Sequence, residues 1–268
     1  MGAMDGFILL DKVDSTNNFA KTNFFSLQDG DVVAAVEQTA GKGRVGRKWF
    51  GERNKNLAVS AVFKNIAKPF HAGVIVGMAG LELVREALPG EFSFFKWPND
   101  IYINSNKVSG ILSEGVWQNG QFCGVVSGIG INVNQDMKNL RENNIAAISL
   151  MELAKREFFL EKLRIELAKK IRKSYIIYRS NPESILHMWQ KENHLIGEVL
   201  EVITPDGVVK KGKFAAISDD GSMVLQEENG SCFEFSCGDV KIDTGTIDFD
   251  LLKNKKYKQP IKNQKGAL

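Results

Sequence analysis

The chain has 268 residues, of which 43% are hydrophobic and 25% charged, a balance that suits one large globular domain or a large and a small one. Its formal net charge is +3, but six lysines and no acid lie between Lys253 and Leu268, so the remainder carries about −3, too little for a protein-wide nucleic-acid footprint. Three cysteines, an odd number without a regular framework, argue against a disulfide scaffold and fit a reducing compartment such as the cytoplasm.

The first part of the chain predicts a short helix, two buried strands and a long helix. The short helix begins at DSTN, because Asp14, Ser15 or Thr16 can cap its exposed N–H groups. The strands are GDVVAAVEQ and NLAVSAVFK, and a glycine-rich basic loop separates them. The long helix covers residues 69–88, and its apolar run AGVIVGMAGLELV contains Glu82 and is too short to span a membrane.

The middle of the chain predicts four short strands and two further helices. The strands are FSFFKW, DIYIN, KVSGILSEGVW and FCGVVSGIGINV, and the turn residues NSN and QNG indicate hairpins between them. An amphipathic helix covers residues 157–180, and PESILHMWQKEN forms a shorter one. Because strands and helices do not alternate strictly, we expect an α+β fold, a mixed sheet with helices on one face, and not a doubly wound fold.

The last part of the chain has a different texture. After about residue 196, short strand patterns are separated by the tight turns PDG, DDG and ENG, which indicates a small antiparallel barrel. We therefore expect a main domain over residues 1–194, a small barrel over residues 195–247, and a lysine-rich mobile tail over residues 248–268.

The loop EQTAGKGRVGRKWFG, residues 37–51, concentrates four glycines and four basic side chains. A dinucleotide-binding fingerprint would need a helix after the loop and a carboxylate about twenty residues later. A strand pattern follows instead, and no acid lies between Arg53 and Gly80. A solvated basic loop is the plain alternative. We interpret the loop as a lid for phosphate or carboxylate, because glycine admits close backbone approach and arginine binds such anions through two hydrogen bonds.

A second motif, KWPND at residues 96–100, joins a cation, an aromatic–proline corner, an amide and a carboxylate. Lys107 and Gly110 follow within the next hairpin. Taken separately, Trp97 is typical of a core and Asn99-Asp100 of a turn. Together these residues suit a negatively charged, metal-bound substrate.

The two motifs occur with DSTN at residues 14–17 and GIGINV at residues 128–133, and in this combination the sequence resembles the biotin protein ligases from about Leu10 to Ile242. The resemblance implies a class II synthetase-like catalytic domain followed by an SH3-like barrel. It also implies a two-step reaction. Biotin and ATP first give biotinyl-AMP and pyrophosphate, and the biotinyl group then passes to one lysine of a biotin carboxyl carrier protein.

The resemblance assigns roles to individual residues. For biotin it implies contacts from Ser15, Thr16, Asn17, Gln38, Gly41, Lys42, Gly43, Arg44, Lys107, Gly110 and Ile111. For ATP and the adenylate it implies contacts from Arg44, Arg47, Trp49, Lys96, Asn99, Lys107 and Asn132. Arg44 and Lys107 would compensate the charge of carboxylate and phosphate, and Asp100 would hold Mg²⁺ or help deprotonate the incoming lysine.

Two departures from the family pattern affect these expectations. Lys42 stands where many relatives have arginine, so a two-pronged contact is lost. Only thirteen residues precede Asp14, which resembles the monofunctional class without a DNA-binding domain, so we expect neither DNA nor membrane as a partner. The oligomeric state stays open, with a homodimer as one option. The three histidines lie outside the motifs and are expected to be structural.

Two alternative functions remain at this point. A lipoate or octanoate ligase would share the mechanism, but these acids lack the ureido ring and would not need the polar set Ser15, Thr16 and Gln38. A nucleic-acid-binding module would use the basic loop and the lysine tail, but it needs aromatic residues interleaved with basic ones, and the loop offers only Trp49 and Phe50.

Overall fold

The computed structural model describes residues 5–44, 46–142, 145–204, 206–236, 241–242 and 247–254. They divide into two compact units. The first comprises the chain up to Phe95 and Asn99–Trp189, and the second comprises Lys96–Pro98 and the chain from Gln190 onward. The domain boundary predicted between residues 194 and 195 lies a few residues after this division.

The first unit is built on a seven-stranded sheet. In chain order its strands are β1 (Phe7–Val13), β2 (Val32–Gln38), β3 (Leu57–Phe63), β4 (Ser93–Lys96), β5 (Asp100–Ile103), β6 (Asn106–Gln118) and β7 (Gln121–Ile131). They lie in the order β1-β2-β3-β7-β6-β5-β4. β1 is parallel to β2, whereas β2–β3, β3–β7, β7–β6 and β6–β5 are antiparallel. The predicted mixed sheet is confirmed.

The helices of the first unit differ widely in length. They are α1 (Thr16–Thr22), α2 (Pro69–Ala87), α3 (Lys138–Glu142), α4 (Leu150–Ala154), α5 (Leu160–Ser180) and α6 (Pro182–Glu192), the last of which continues past Trp189. The sequence predicted all but the five-residue helices α3 and α4, which are too short to carry a periodic pattern. Within the described part of the chain, no helix is long and apolar enough to cross a membrane.

The two faces of the sheet carry different helices. Ile129 and Gly128 are consecutive residues of β7. A Cβ atom at Gly80 of α2 would lie 2.4 Å from Ile129, whereas a Cβ atom at Gly128 would lie 2.2 Å from the Asn17 side chain of α1. Successive residues of a strand point to opposite faces. The long helix α2 therefore covers one face, where α5 packs beside it, and α1 lies on the other. The expectation of helices on one face holds for α2 and α5 but not for the short α1, because the polar side chain of Asn17 fills the space that Gly128 leaves on the opposite face.

Local sequence chemistry explains the hairpin between β6 and β7. Asn119 and Gly120 connect β6 to β7 with φ angles of 51° and 77°. Asparagine and glycine are the residues that tolerate such left-handed conformations, as a two-residue hairpin turn requires. This turn, predicted from QNG, fixes the register in which β6 pairs with β7 from Ser109–Ile131 to Gln118–Gln121.

The second unit contains a five-stranded antiparallel sheet. Its strands are β8 (Val199–Ile203), β9 (Val209–Ile217), β10 (Met223–Gln226), β11 (Cys232–Phe235) and β12 (Lys241–Ile242), in the order β11-β10-β9-β8-β12. It is compatible with the expected SH3-like barrel, although the described strands do not close into one. A helix, α7 (Phe249–Asn254), lies where the sequence predicted a mobile tail, and its Leu252 is buried. The tail beyond it falls outside the described residues.

Candidate functional site

The glycine-rich basic loop folds back on itself as a small hairpin. The Trp49 backbone N–H donates to Gly41 O at 2.9 Å, and the Gly43 N–H donates to Arg47 O at 2.7 Å. Lys42 and Lys48 form an isolated antiparallel bridge between these two contacts. Of the loop, only Val45 lies outside the described residues. The backbone thus places Lys42 and Lys48 opposite one another on the hairpin.

Trp49 attaches this hairpin to the sheet. Its indole ring lies over two glycines, and a Cβ atom would come within 3.2 Å of the ring at Gly110 of β6 and within 2.3 Å at Gly130 of β7. Any larger residue at Gly130 would force the indole away. Trp49 therefore packs inward, which removes it as an exposed base-stacking platform and weakens the nucleic-acid alternative.

Arg44 links the loop to the second motif. Its Nη1 donates to Asn99 Oδ1 at 2.9 Å, and the Asn99 amide nitrogen donates to Ile111 O at 2.7 Å. The Ile111 N–H in turn donates to Asn99 O at 2.9 Å. Two segments more than fifty residues apart in sequence are thereby joined at one guanidinium group.

Lys107 and Asp100 form an ion pair beside Arg44's partner Asn99. Lys107 Nζ lies 2.6 Å from Asp100 Oδ1, and both side chains are largely but not fully buried, at 29% and 17% exposure. The Lys107 backbone is held on both sides, because its N–H donates to Ala146 O at 2.9 Å and its carbonyl accepts from Ile148 N at 3.0 Å. The lysine is thus a preorganised cation that retains access to solvent.

A polar cluster of four residues, Thr16, Asn17, Gln38 and Ser60, lies on the face of the sheet that carries α1. Gln38 Oε1 accepts from the Thr16 N–H at 2.7 Å and lies 3.0 Å from its hydroxyl. Ser60 Oγ lies 2.7 Å from Thr16 Oγ1 and 2.6 Å from Asn17 Oδ1. Gly128 leaves the space that the Asn17 side chain occupies.

Two members of this region escaped the sequence analysis. Ser60 of β3 is fully buried, and Glu114 of β6 accepts from the Asn17 amide at 2.8 Å and pairs with Lys21. A single serine inside the apolar strand NLAVSAVF is the one signal that pointed to Ser60. Nothing local marks Glu114, because its partners lie more than ninety residues earlier.

Four predicted site residues stand apart from these contacts. Ser15 is buried at the N-terminus of α1, but its side chain makes no capping hydrogen bond. Lys42 donates to Asn18 Oδ1 at 2.7 Å. The Asn18 amide also donates to Asp14, which together with the charge of Lys42 holds the pKa of that carboxyl below its ordinary value. Arg47 is exposed, and Lys96 belongs to the second unit.

The side chain and the backbone of Ile111 lie on different sides of β6. Its side chain faces α2, where a Cβ atom at Gly77 would lie 2.9 Å from it, while its neighbour Gly110 faces Trp49. The alternation along β6 therefore leaves only the Ile111 backbone on the side of the loop. Asn132, the predicted adenine contact, is buried and donates from its amide to Ile148 O at 3.1 Å.

Buried polar residues that the sequence analysis missed hold the exit of the loop. Gln135 Oε1 accepts from the Glu52 N–H at 3.0 Å and from the Asn56 amide at 2.5 Å. Asn56 Oδ1 accepts from the Val133 N–H at 3.0 Å. Arg164 of α5, only 3% exposed, donates to Asn54 Oδ1 at 3.0 Å. Hydrogen bonds therefore hold the segment after the loop against the residues that follow β7 and against α5.

The histidine and metal expectations can be compared with the described residues. His71 is buried, and its Nδ1 lies 3.0 Å from the Tyr178 hydroxyl, a packing contact between α2 and α5. Among the described residues no group of three or more His, Cys, Asp or Glu side chains is arranged to hold a metal ion. Cys237 lies outside them.

Comparison with known proteins identifies the family. The model of the Biotin/lipoate A/B protein ligase family matches residues 9–132. The bifunctional ligase/repressor BirA of Salmonella typhimurium is 30% identical over 233 residues, which cover 82% of this chain and 69% of the relative. The chain belongs to this family. A biotin–[acetyl-CoA-carboxylase] ligase of Mycobacterium tuberculosis is 29% identical over 90% of this chain and 91% of its own.

A solved structure supports the fold. The biotin protein ligase from Aquifex aeolicus, in complex with biotin and ATP, superposes with a TM-score of 0.74. The match covers 90% of this chain and 99% of that one, at 24% sequence identity. The family's four sequence motifs thus lie on the family's fold.

Proposed function

We propose that this protein is an ATP-dependent biotin–protein ligase, which activates biotin as biotinyl-AMP and transfers it to a lysine of a biotin carboxyl carrier protein. Membership of the ligase family and the names of its relatives support the activity. The observation that carries the assignment to these residues is the Arg44–Asn99 contact, which sets a loop cation beside the Lys107–Asp100 pair.

In the first step, a biotin carboxylate oxygen attacks the α-phosphorus of ATP. A carboxyl–phosphate bond forms, and the bond from the α-phosphorus to the bridging oxygen breaks to release pyrophosphate. Both reactants are anions, so the reaction needs charge compensation more than a nucleophile from the protein. Arg44 and Lys107 supply this compensation, with Lys107 beside the reacting carboxylate and Arg44 on the phosphate.

In the second step, the amine of the carrier lysine attacks the acyl carbon of the mixed anhydride. The amide bond forms, AMP leaves with the electron pair of the broken C–O bond, and one proton departs from the amine. Asp100 is the carboxylate nearest to Lys107 and is our candidate to receive that proton. The glycine-rich loop covers the adenylate, while Trp49 holds the hairpin against Gly110 and Gly130 of the sheet.

The residues fit a magnesium ion that arrives with ATP. Magnesium is usually held by one or two carboxylates together with substrate phosphates, and Asp100 supplies one carboxylate. When bound, the ion would neutralise phosphate charge. The reducing compartment inferred from the cysteines is consistent with a reaction in the cytoplasm, where the carrier protein would be the macromolecular partner.

Pyrophosphate release from ATP tests the proposal, measured with biotin, lipoate, octanoate or no acid added. We expect release with biotin and none with the other additions. Release with lipoate or octanoate would retain the mechanism and overturn the choice of substrate. The absence of release with every acid would overturn the proposed activity.

A further inference from the structure

The hydrogen bonds of the polar cluster have fixed directions at both ends. The Thr16 N–H can only donate, so the amide group of Gln38 turns its oxygen toward Thr16. At the other end, the Asn17 amide nitrogen donates to Leu112 O at 3.1 Å and to the Glu114 carboxylate at 2.8 Å, both of which only accept. The Asn17 oxygen therefore faces into the cluster, and both ends of the cluster are acceptors.

Two hydroxyls lie between these acceptors. The contacts run from Gln38 Oε1 to Thr16 Oγ1 (3.0 Å), on to Ser60 Oγ (2.7 Å) and on to Asn17 Oδ1 (2.6 Å). Three oxygen–oxygen contacts are thus served by two hydroxyl protons, because each hydroxyl donates once. In any arrangement of the two protons, one pair of oxygen atoms therefore faces each other without a hydrogen between them. The cluster is one donor short.

This shortage of protons determines whether the Thr16 hydroxyl favours a hydrogen-bond donor or an acceptor on a ligand. If the Thr16 hydroxyl donated to a ligand acceptor, two of the three contacts would lack a proton. If it instead accepts from a ligand N–H, the positive end of that donor lies against the oxygen-rich cluster and compensates it. Ser60 is fully buried at 0% exposure. Its influence on a ligand would therefore pass through the Thr16 hydroxyl, 2.7 Å from Ser60 Oγ.

The other end of the cluster has the opposite preference. Because the Gln38 oxygen faces Thr16, its amide nitrogen points the other way, and a Cβ atom at Gly41 of the loop would lie 3.1 Å from it. Gln38 is partly exposed and can donate to a ligand acceptor. The cluster thus suits a group that presents an N–H and a carbonyl oxygen together, as a cyclic urea does.

We propose that Ser60 is a specificity-determining positioning residue, which occupies the protons of the polar cluster so that Thr16 selects a ligand N–H donor. The inference rests on the proposed function and names the feature of biotin that is selected, a ureido N–H. Lipoate and octanoate offer no N–H at this end of the molecule. Discrimination against them then follows from hydrogen-bond direction and not only from pocket size.

The test compares biotin with two isosteric analogues in which one ureido N–H at a time is replaced by a ring oxygen. Dissociation constants are measured by calorimetry, and pyrophosphate release is measured in parallel. The protein variants are the wild type, Ser60→Ala and the matched control Ser127→Ala. Ser127 is also fully buried in the sheet, but its hydroxyl lies 2.8 Å from Ser113 and outside the cluster.

For one of the analogues, we expect wild type to bind biotin about 100-fold more tightly, the scale of an unmatched buried polar contact. In Ser60→Ala that ratio should fall to about 10-fold or less. Without the Ser60 oxygen as an acceptor, the Thr16 hydroxyl is free to donate its proton to the ring oxygen of the analogue. Ser127→Ala should keep the wild-type ratio. If Ser60→Ala does not fold, the near-isosteric Ser60→Cys makes the same comparison, since a thiol is a weak hydrogen-bond partner.

Two failures are distinguishable. Equal ratios in wild type and Ser60→Ala, or a wild-type ratio near one for both analogues, would overturn the role of Ser60 while biotin still bound and released pyrophosphate. No binding of biotin by wild type, and no biotin-dependent release, would overturn the proposed function itself.

Discussion

At the scale of single residues, Arg44 is the loop cation whose position the rest of the site determines. Its contact with Asn99 holds the guanidinium before an anion arrives, so little reorganisation is needed when phosphate binds. Arg44→Ala should therefore cost roughly 2–4 kcal/mol in the barrier to adenylate formation, the scale of one preorganised donor. Biotin-dependent pyrophosphate release measures it.

A distant arginine provides the control for this variant. Arg179→Ala removes a guanidinium that pairs with Asp29 at the end of α5 and leaves the loop intact. It should form the adenylate at the wild-type rate. If Arg44→Ala did so too, Arg44 would have no role in the first step.

Lys107 lies beside the place where we propose that negative charge develops during activation. Lys107→Ala should slow adenylate formation more than transfer, because the second step starts from a neutral acyl group attacked by an amine. The two steps are separated by measuring pyrophosphate release and then transfer from preformed biotinyl-AMP. Lys169→Ala, which removes a surface lysine paired with Glu166, is the control. Equal losses in both steps would contradict the assignment.

At the scale of elements, we expect the hydrogen bonds of Gln135 to the segment after the loop to affect both stability and retention of the adenylate. Gln135→Ala removes the acceptor for Glu52 N–H and leaves the buried Asn56 amide without it. The free energy of unfolding should fall by about 1–3 kcal/mol, the cost of a buried donor left unmatched. Biotinyl-AMP should also leave the enzyme faster, since the clamp that limits the loop is lost.

Urea unfolding and the half-life of bound biotinyl-AMP measure these two effects. Gln121→Ala, at the exposed start of β7, is the matched amide control and should change neither. A Gln135→Ala variant with unchanged stability and unchanged release would show that the loop is held elsewhere.

At the scale of the whole molecule, Asp29 joins the sheet to the long helix α5. It accepts from Lys64 N at 2.8 Å, from the Asn65 amide at 2.6 Å, from the Tyr175 hydroxyl at 2.8 Å and from Arg179 at 3.1 Å. Burial raises its pKa, but these hydrogen bonds and the charge of Arg179 outweigh burial and hold the pKa below its ordinary value of 3.8. Burial, together with the hydrogen bond to Asp29, raises the pKa of Tyr175 to about 12.

The sign of this shift predicts a dependence of stability on pH. A carboxyl with a lowered pKa stabilises the fold above its ordinary pKa, and that contribution is lost as the pH falls through the lower folded value. Asp29→Asn should therefore be less stable than wild type at pH 7 by about 1–3 kcal/mol, with a smaller difference near pH 3. Urea unfolding at both pH values measures the difference. A gap of equal size at both would contradict the contribution of the charge.

Most of the elements and the ligand-facing motifs followed from the sequence by itself, because their signals are local. Apolar runs predict strands β2 and β3, and helical periodicity predicts α5. The turn residues Asn119-Gly120 predict the hairpin between β6 and β7. The loop and KWPND combine unusual charge with glycine or proline over a few residues, so the sequence could predict anion binding there before their positions were known.

The tertiary structure alone decided which residues support these motifs. Ser60 contacts Thr16 and Asn17, which precede it by more than forty positions, because α1 packs on β3. Arg164 contacts Asn54 across 110 positions because α5 packs against β3. The inward turn of the Ile111 side chain is likewise set by its place on β6, where Gly110 takes the other face. Such contacts depend on strand order and register, and a one-residue change of register would turn every one of these side chains to the opposite face.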